Sequence, residues 1–298
     1  MDIKKPKAVI GTNSWGGAVA AKVFRGSSVD DQTLKDTIAA AKEKGLLIFD
    51  LAQVYGLGKA QKKIGAFGTE GIIISAKFTP PSKYTPEQVR KSLERDLAEF
   101  KRGYVDIYWL HRPVDTEKNL AEMIELYHEE KIHYIGVSNF SLEECKQAKA
   151  FLDSAGVPLY GVQNHYSLLD RKWEEEGVLG WCHENDILYW GWAVLEEGLL
   201  TDPRIKKQAS ITKLMMNGKK EKLTLLYEQM EKVAKNHHIT IPQVAIAFCA
   251  AKGVVPICGC RKPYQVEQLH EAVNTVLTNQ EIQLLQEEAD RANVKIFK

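Results

Sequence analysis

Ile72-Ile73-Ile74-Ser75-Ala76-Lys77, then Thr85-Pro86-Glu87-Gln88, then Val105-Asp106-Ile107-Tyr108-Trp109-Leu110-His111 together read as one strand–helix–strand unit. The flanking runs are continuously apolar rather than alternating, as in parallel strands covered on both faces. Between them, Thr85 offers an N-cap hydroxyl, Pro86 stands at the first helical position and Gln88 completes a capping box. Val89, Leu93, Leu97 and Phe100 then fall on one face of the predicted helix.

The same alternation extends in both directions. Upstream, Ala8-Val9-Ile10 and Leu46-Leu47-Ile48-Phe49 read as buried strands. Downstream come Tyr134-Ile135-Gly136-Val137, Leu159-Tyr160-Gly161-Val162, Ile187-Leu188-Tyr189-Trp190 and Val254-Val255-Pro256-Ile257. Helix starts recur at Ser141 with Glu144, Thr240 with Gln243 and Thr278 with Glu281, while Gly45 and Gly156 stand where helices end. Eight such units in 298 residues, about 37 each, predict an α/β fold of the (β/α)8 TIM-barrel type, with residues 1–298 as a single domain. The rival, an open doubly wound sheet, lacks its glycine fingerprint. No G-x-G-x-x-G follows the first strand, and Gly56-Leu57-Gly58 after the second has no third glycine at the required offset. The polar, lysine-rich stretch from Glu196 to Glu221, with Asp202-Pro203, is long enough for a lid and equally fits a surface insertion.

Composition narrows the function classes. Lys and Arg number 40 against 39 Asp and Glu, and a net charge of +1 supplies no field to hold nucleic acid. At 44% hydrophobic and 27% charged the chain is an ordinary globular sequence. No stretch approaches the roughly 18 apolar residues of a membrane helix, and Met1 to Lys7 does not read as a secretory signal. Five cysteines form no disulfide framework, and Cys258-x-Cys260 matches neither zinc nor redox spacing. His237-His238 reads as a helix-end surface pair. No metal site and no membrane partner are expected, and the expected compartment is the cytoplasm.

In such a barrel, working residues emerge at the C-terminal ends of the strands. Asp50 follows the second strand, Tyr55 lies on the loop beyond it, Lys77 ends the third and His111 the fourth. All four are therefore expected in one mouth. A tyrosine hydroxyl titrates near 10 in water, and a neighbouring ammonium is expected to pull that value down. Lys77 has that role if Asp50 keeps it charged and in place. Tyr55 then protonates a developing alkoxide while His111 orients the same oxygen, which fits carbonyl reduction or alcohol oxidation in reverse. Singly, each residue has a plain structural explanation, an ion pair or a satisfied strand-end histidine. Their joint occurrence at successive strand ends is what points to catalysis.

Asp50-Leu51-Ala52-Gln53-Val54-Tyr55-Gly56 resembles the D-x-A-x-x-Y-G signature of the aldo-keto reductase superfamily. Ala76-Lys77 and Asp106 to His111 resemble its lysine and histidine segments. Gly11-Thr12, Trp15-Gly16-Gly17, Ile135 to Phe140, Gly161 to Asn164, Gly198 to Thr201 and Arg261 to Val266 continue the likeness in order. The resemblance implies an NADP(H)-dependent oxidoreductase acting on a small carbonyl or alcohol substrate, with Asp50, Tyr55, Lys77 and His111 as a tetrad. It assigns carboxamide contacts to Ser138, Asn139 and Gln163 and a stacking ring to Trp192. Leu199, Gln265 and Gln268 are further implied cofactor contacts. Arg261, with Lys262 as helper, is implied to meet the 2′-phosphate near a helix start. Trp15, Phe24, Phe78 and Trp109 are the substrate-pocket candidates, and the short tail after the Thr278 helix implies an open pocket. Three departures bear on the cofactor: Trp192-Ala193-Val194-Leu195 in place of Tyr-Ser-Pro-Leu, Asp202-Pro203 in place of glycine-lysine, and Gln268-Leu269 in place of Glu-Asn. They leave NAD(H) open. Two other readings of the same scaffold are a nucleotide-sensing regulatory subunit and a non-redox barrel such as an isomerase.

Overall fold

The computed structural model describes residues 3, 5–16, 29–55, 58–201 and 219–295. Each apolar run read above forms a strand: β1 (Val9–Gly11), β2 (Ile48–Asp50), β3 (Ile73–Phe78), β4 (Val105–Leu110), β5 (Ile132–Ser138), β6 (Leu159–His165), β7 (Leu188–Trp192) and β8 (Val255–Gly259). The strands pair in parallel in chain order, and β8 returns to β1 with Val9 beside Ile257 and Gly11 beside Gly259. The result is a closed (β/α)8 barrel.

Around it lie α1 (Asp31–Glu43), α2 (Lys59–Phe67), α3 (Gln88–Phe100), α4 (Thr116–His128), α5 (Leu142–Ser154), α6 (Lys172–Glu175) and α7 (Val178–Glu184). The circle is completed by α8 (Lys219–Lys222), α9 (Thr224–His237), α10 (Ile241–Ala251), α11 (Pro263–Ala272) and α12 (Asn279–Ala292). No helix among the described residues is long and apolar enough to cross a membrane.

The capping boxes expected at Ser141, Thr240 and Thr278 open α5, α10 and α12. Gly45 (φ 69°) and Gly156 (φ 70°) take the left-handed turn after α1 and α5, where a side chain is strained. Helix α3 departs from its expected start. It begins at Gln88, after Glu87 enters the left-handed region (φ 62°); Gln88 Oε1 still accepts from the Thr85 N–H at 3.1 Å, but the Thr85 hydroxyl accepts from no helix N–H among the described residues. The Glu122 carboxylate of α4 closes this N-terminus instead, accepting from the Val89 N–H at 2.8 Å.

Two apolar layers follow from the alternation along the strands, interrupted on β6 where the register with β5 shifts between Ile135 and Gly136 and Tyr160 joins the inner layer. Outward-facing Ile10, Phe49, Ile74, Tyr108, Val137 and Val162 pack under the helices. Inward-facing Val9, Ile48, Ile107, Trp109, Tyr160, Trp190, Val255 and Ile257 fill the barrel. Because the strand period is two, the inward column on β3 runs Ile73, Ser75, Lys77, and on β4 Ile107, Trp109, with His111 next. The barrel is apolar at its base and polar at its C-terminal mouth.

Trp109 is the central plug. A Cβ on Gly136 would stand 2.3 Å from its ring, so this position on β5 must be glycine for the indole to fit, and one on Gly161 of β6 would be a tight 3.2 Å away. Its N–H donates to Ser75 Oγ at 2.8 Å. The expectation that Trp109 contacts substrate is therefore corrected: the side chain is fully buried in the barrel.

Candidate active site

Asp50 ends β2 with both carboxylate oxygens engaged. Oδ1 accepts from Ser75 Oγ at 3.0 Å and from Gln163 Nε2 at 3.2 Å. Oδ2 pairs with Lys77 Nζ and accepts from the Tyr55 hydroxyl at 3.4 Å. Lys77 is fully buried and also donates to the Leu51 carbonyl at 3.3 Å and the Tyr55 hydroxyl at 3.2 Å. Its ammonium stands 5.0 Å from the centre of the Tyr55 ring. The expected Asp–Lys–Tyr cluster is thus assembled from β2, β3 and the loop between β2 and α2.

His111 extends β4, its N–H donating to the Phe78 carbonyl at 2.9 Å. Its Nδ1 lies 2.7 Å from Thr79 Oγ1. With the Thr79 hydroxyl donating, the ring carries its hydrogen on Nε2.

Burial is the largest single influence on all three groups and sets the direction for Tyr55 and His111. It pushes the Tyr55 hydroxyl above its ordinary value, with the Asp50 charge adding to the rise and the Lys77 ammonium only partly opposing it. The expectation that Lys77 wins this contest is corrected, and the phenol is protonated at neutral pH. For Lys77, burial alone would lower the value, but the Asp50 charge and the hydrogen bonds to Asp50 and Tyr55 carry it above its usual range. Burial, with the Lys77 and Arg112 charges, lowers His111 to about 3, so its imidazole is neutral.

The cluster opens into a cavity of about 1520 Å³. Tyr55, Asp50 and His111 line one part of it, and Lys77 lies beneath them. Asn139, Gln163 and Trp192 line it at the ends of β5, β6 and β7. Asn139 adopts a left-handed backbone (φ 63°) and ties three strand ends together. Its Nδ2 donates to the His111 carbonyl and to Ser138 Oγ, both at 3.1 Å, and its Oδ1 accepts from Trp192 Nε1 at 3.2 Å. Trp192 in turn stacks on buried His165, ring centres 4.7 Å apart.

On the β8 side, Arg261, Lys262, Gln265 and Gln268 line the same cavity. The two cations immediately precede α11, and the Gln265 side-chain oxygen accepts from their backbone N–H groups at 2.8 Å and 3.1 Å. From the turn after β7, Ala193, Leu195, Glu197 and Gly198 add to the wall.

Several candidates lie elsewhere. Ser138 is buried behind the lining, its hydroxyl donating to the Gln163 carbonyl at 2.7 Å. Leu199 is buried, and its carbonyl accepts from the Tyr227 hydroxyl at 2.7 Å. Trp15 is buried against Phe49, its indole N–H donating to the Cys260 carbonyl at 2.7 Å, so it braces the segment before Arg261 instead of facing substrate. Phe78 joins the layer under the helices. Phe24, Gly56 and Asp202-Pro203 lie outside the described residues.

The structure also adds residues. Thr79 is the partner of His111, and it was detectable as the next inward position after Lys77. Gln53, two residues before Tyr55, donates to Ser92 Oγ at 2.7 Å and Asp96 Oδ1 at 2.8 Å on α3. Gln61 of α2 donates to the same Asp96 oxygen at 2.8 Å, so one buried carboxylate holds both sides of the loop that carries Tyr55. The signal was a charged residue on the apolar stripe Val89, Leu93, Phe100.

A barrel mouth that gathers Asp50, Tyr55, Lys77 and His111 at one cavity is the arrangement the resemblance implied, and sequence comparison points to the same family. The profile of the Aldo/keto reductase family matches residues 7–290. The chain belongs to that family of carbonyl oxidoreductases. It is 28% identical to aldo-keto reductase YhdN of Bacillus subtilis over 91% of this chain and 87% of that one. Two further relatives differ in the cofactor their names carry. Aldo-keto reductase yakc [NADP(+)] of Schizosaccharomyces pombe is 27% identical over 85% of this chain and 82% of its own length. The NADH-specific methylglyoxal reductase of Escherichia coli is 25% identical over 97% and 96%. Among solved structures, the thermostable aldo-keto reductase Tm1743, bound to the inhibitor epalrestat, superposes with a TM-score of 0.76 at 25% identity, covering 95% of each chain.

Proposed function

We propose that this protein reduces an aldehyde or ketone to the alcohol, reversibly, with NADP(H) as its dinucleotide. The observation that carries the reading is a half-buried phenol 3.2 Å from a buried ammonium at the wall of one large cavity. That cavity exceeds the roughly 300–1,000 Å³ of a common small-ligand site. It offers hydrogen-bonding amides at one side, Asn139 and Gln163, and two cations at a helix N-terminus on the other. This donor set fits a dinucleotide, whose phosphates suit Arg261 and Lys262 and whose ring amide suits the amide side chains.

When bound, the reduced dinucleotide supplies hydride to the carbonyl carbon. Tyr55 hydrogen-bonds the carbonyl oxygen and gives it a proton as negative charge develops there. Lys77 stabilises the phenolate that remains, and Asp50 holds Lys77 in register. Neutral His111 donates from Nε2 to the same oxygen and fixes its direction. General-acid help of this kind is worth roughly 10² to 10⁴ in rate. Trp192, stacked on His165 and tied through its Nε1 to Asn139, would supply a flat face for the nicotinamide ring.

Preference for NADP(H) rests on Arg261, whose planar fork matches a terminal phosphate. The test is NADPH oxidation with aromatic and aliphatic aldehydes, beside parallel NADPH and NADH titrations followed by tryptophan fluorescence. Tyr55→Phe should abolish turnover and still bind the dinucleotide, and undiminished turnover would overturn the assignment. Arg261→Ala should weaken NADPH more than NADH, and NADH binding at least as tightly to the wild-type chain would remove the role given to Arg261. Nothing in the fold, the site or the comparisons favours the regulatory-subunit alternative.

A further inference from the structure

Arg112 follows His111 directly and lines the same cavity as Tyr55 and His111. Its backbone is fixed from two sides. The His111 carbonyl accepts from Asn139 Nδ2 at 3.1 Å, and the carbonyl of Arg112 accepts from the Val114 N–H at 2.9 Å across Pro113. The proline also confines the conformation of the residue before it. The backbone that carries this cation is therefore held at the mouth by the same framework that holds His111.

Arg90, Arg102, Arg171 and Arg291 each meet a carboxylate. Arg112 makes no ion pair or side-chain hydrogen bond among the described residues. The nearest acid along the chain, Asp115, is paired with Lys118 at 2.9 Å. Ser14 Oγ, in the same cavity wall, is buried and also unpartnered among the described residues. Arg112 is not an extension of the Arg261–Lys262 pair, because β4 and β8 stand four strands apart around the barrel. Its charge reaches the reacting end, where it helps to depress the titration of His111.

An unpaired guanidinium beside a neutral imidazole suits a substrate with its own negative charge. We infer that the carbonyl substrate carries a carboxylate, and that Arg112 binds this group while Tyr55 and His111 address the carbonyl oxygen. The planar fork of arginine can take both carboxylate oxygens at once, which fixes direction as well as adding attraction. The position is solvent-exposed, so screening limits the gain. The inference rests on the reductase reading above.

The test compares meta- and para-carboxybenzaldehyde with the matching formylbenzamides, which have the same shape without the charge. In the wild-type chain at low salt, kcat/KM should favour the carboxylate of at least one pair by about three- to fivefold, carried by KM. Added salt should erode that preference. Arg112→Gln should bring the ratio close to one, and Arg112→Lys should restore part of it, since a point charge attracts without the fork. Equal use of acid and amide by the wild-type chain, or an undiminished preference in Arg112→Gln, overturns the inference and leaves the reductase reading standing. If no aldehyde of either kind is reduced with NADPH or NADH, the reductase reading fails and takes the inference with it.

Discussion

Replacing Asp96 by Asn should remove a pH dependence of stability that the wild-type chain carries. Asp96 is 1% exposed on the inner face of α3. Burial raises its carboxyl from the ordinary 3.8 to about 6, although hydrogen bonds from Gln53, Gln61 and Tyr108 and the charge of Arg95 pull the other way. In this window the folded chain keeps a proton that the unfolded chain has lost. The contribution of Asp96 to stability is therefore fully present below 3.8 and is lost as pH rises to about 6. The interval from 3.8 to about 6, at 1.36 kcal/mol per pH unit, corresponds to about 3 kcal/mol.

Asparagine has nearly the same shape and no charge to bury. Its Oδ1 can accept from Gln53 and Gln61 as Asp96 Oδ1 does, both at 2.8 Å. Its Nδ2 can donate to the Tyr108 hydroxyl, which now lies 3.3 Å from Asp96 Oδ2. Urea unfolding of both chains, followed by tryptophan fluorescence from about pH 4.5 to about pH 7.5, isolates the effect, because other titrating groups cancel in the difference. Across that range, which starts above 3.8, the variant should gain on the wild type by about 2 kcal/mol as pH rises. Two parallel curves would refute the reasoning, because the buried carboxyl would then carry no penalty on ionising.

Gly136→Ala should destabilise the barrel by at least the 1–3 kcal/mol or so of an overpacked core, since the new methyl would lie 2.3 Å from Trp109. Thermal unfolding beside Gly103→Ala, where a Cβ meets nothing within 4 Å, checks it, and equal losses would contradict the account of the plug. Lys77→Met leaves the buried Asp50 carboxylate without its cation and should lose about 3–5 kcal/mol in urea unfolding. Adding Asp50→Asn should recover part of that, and a single variant as stable as wild type would make the pair dispensable. Because His111 is neutral down to about 3, kcat/KM should show no His111 inflection between about pH 5 and 8. A step near the ordinary histidine value that vanishes in His111→Gln would contradict this.

The strands were legible because their signal is local: unbroken apolar runs bounded by polar strand ends. The gathering of Asp50, Lys77 and His111 at one mouth was legible for the same reason, since they terminate or extend those runs. What depended on neighbours distant in sequence was not. Thr85-Pro86-Glu87-Gln88 has the local form of a helix start, yet Glu122, 33 residues beyond Val89, supplies the cap. Trp109 and Trp15 stand near strand ends as a substrate aromatic would. Only the register of β3 against β4, and the glycines opposite, turn Trp109 inward to Ser75. The direction of the Tyr55 shift was also beyond sequence. It depends on how completely the hydroxyl is enclosed, and burial here outweighs the nearby ammonium.

Burying two opposite charges rarely adds net stability, so the Asp50–Lys77 pair needs a reason beyond folding. The pair is tolerated because Asp50 is fully satisfied by Ser75, Gln163, Lys77 and Tyr55. Ser75 is itself held by the Trp109 plug, so the packed barrel interior reaches the reacting end through two hydrogen bonds. In the proposed reaction that dry setting acts on one hydroxyl in two successive ways. Before transfer, enclosure keeps Tyr55 protonated and ready to donate. After transfer, the same low-polarity surroundings strengthen the attraction between the new phenolate and the ammonium 3.2 Å away. A solvated lysine could not do both, because water would weaken the second influence as it relieved the first.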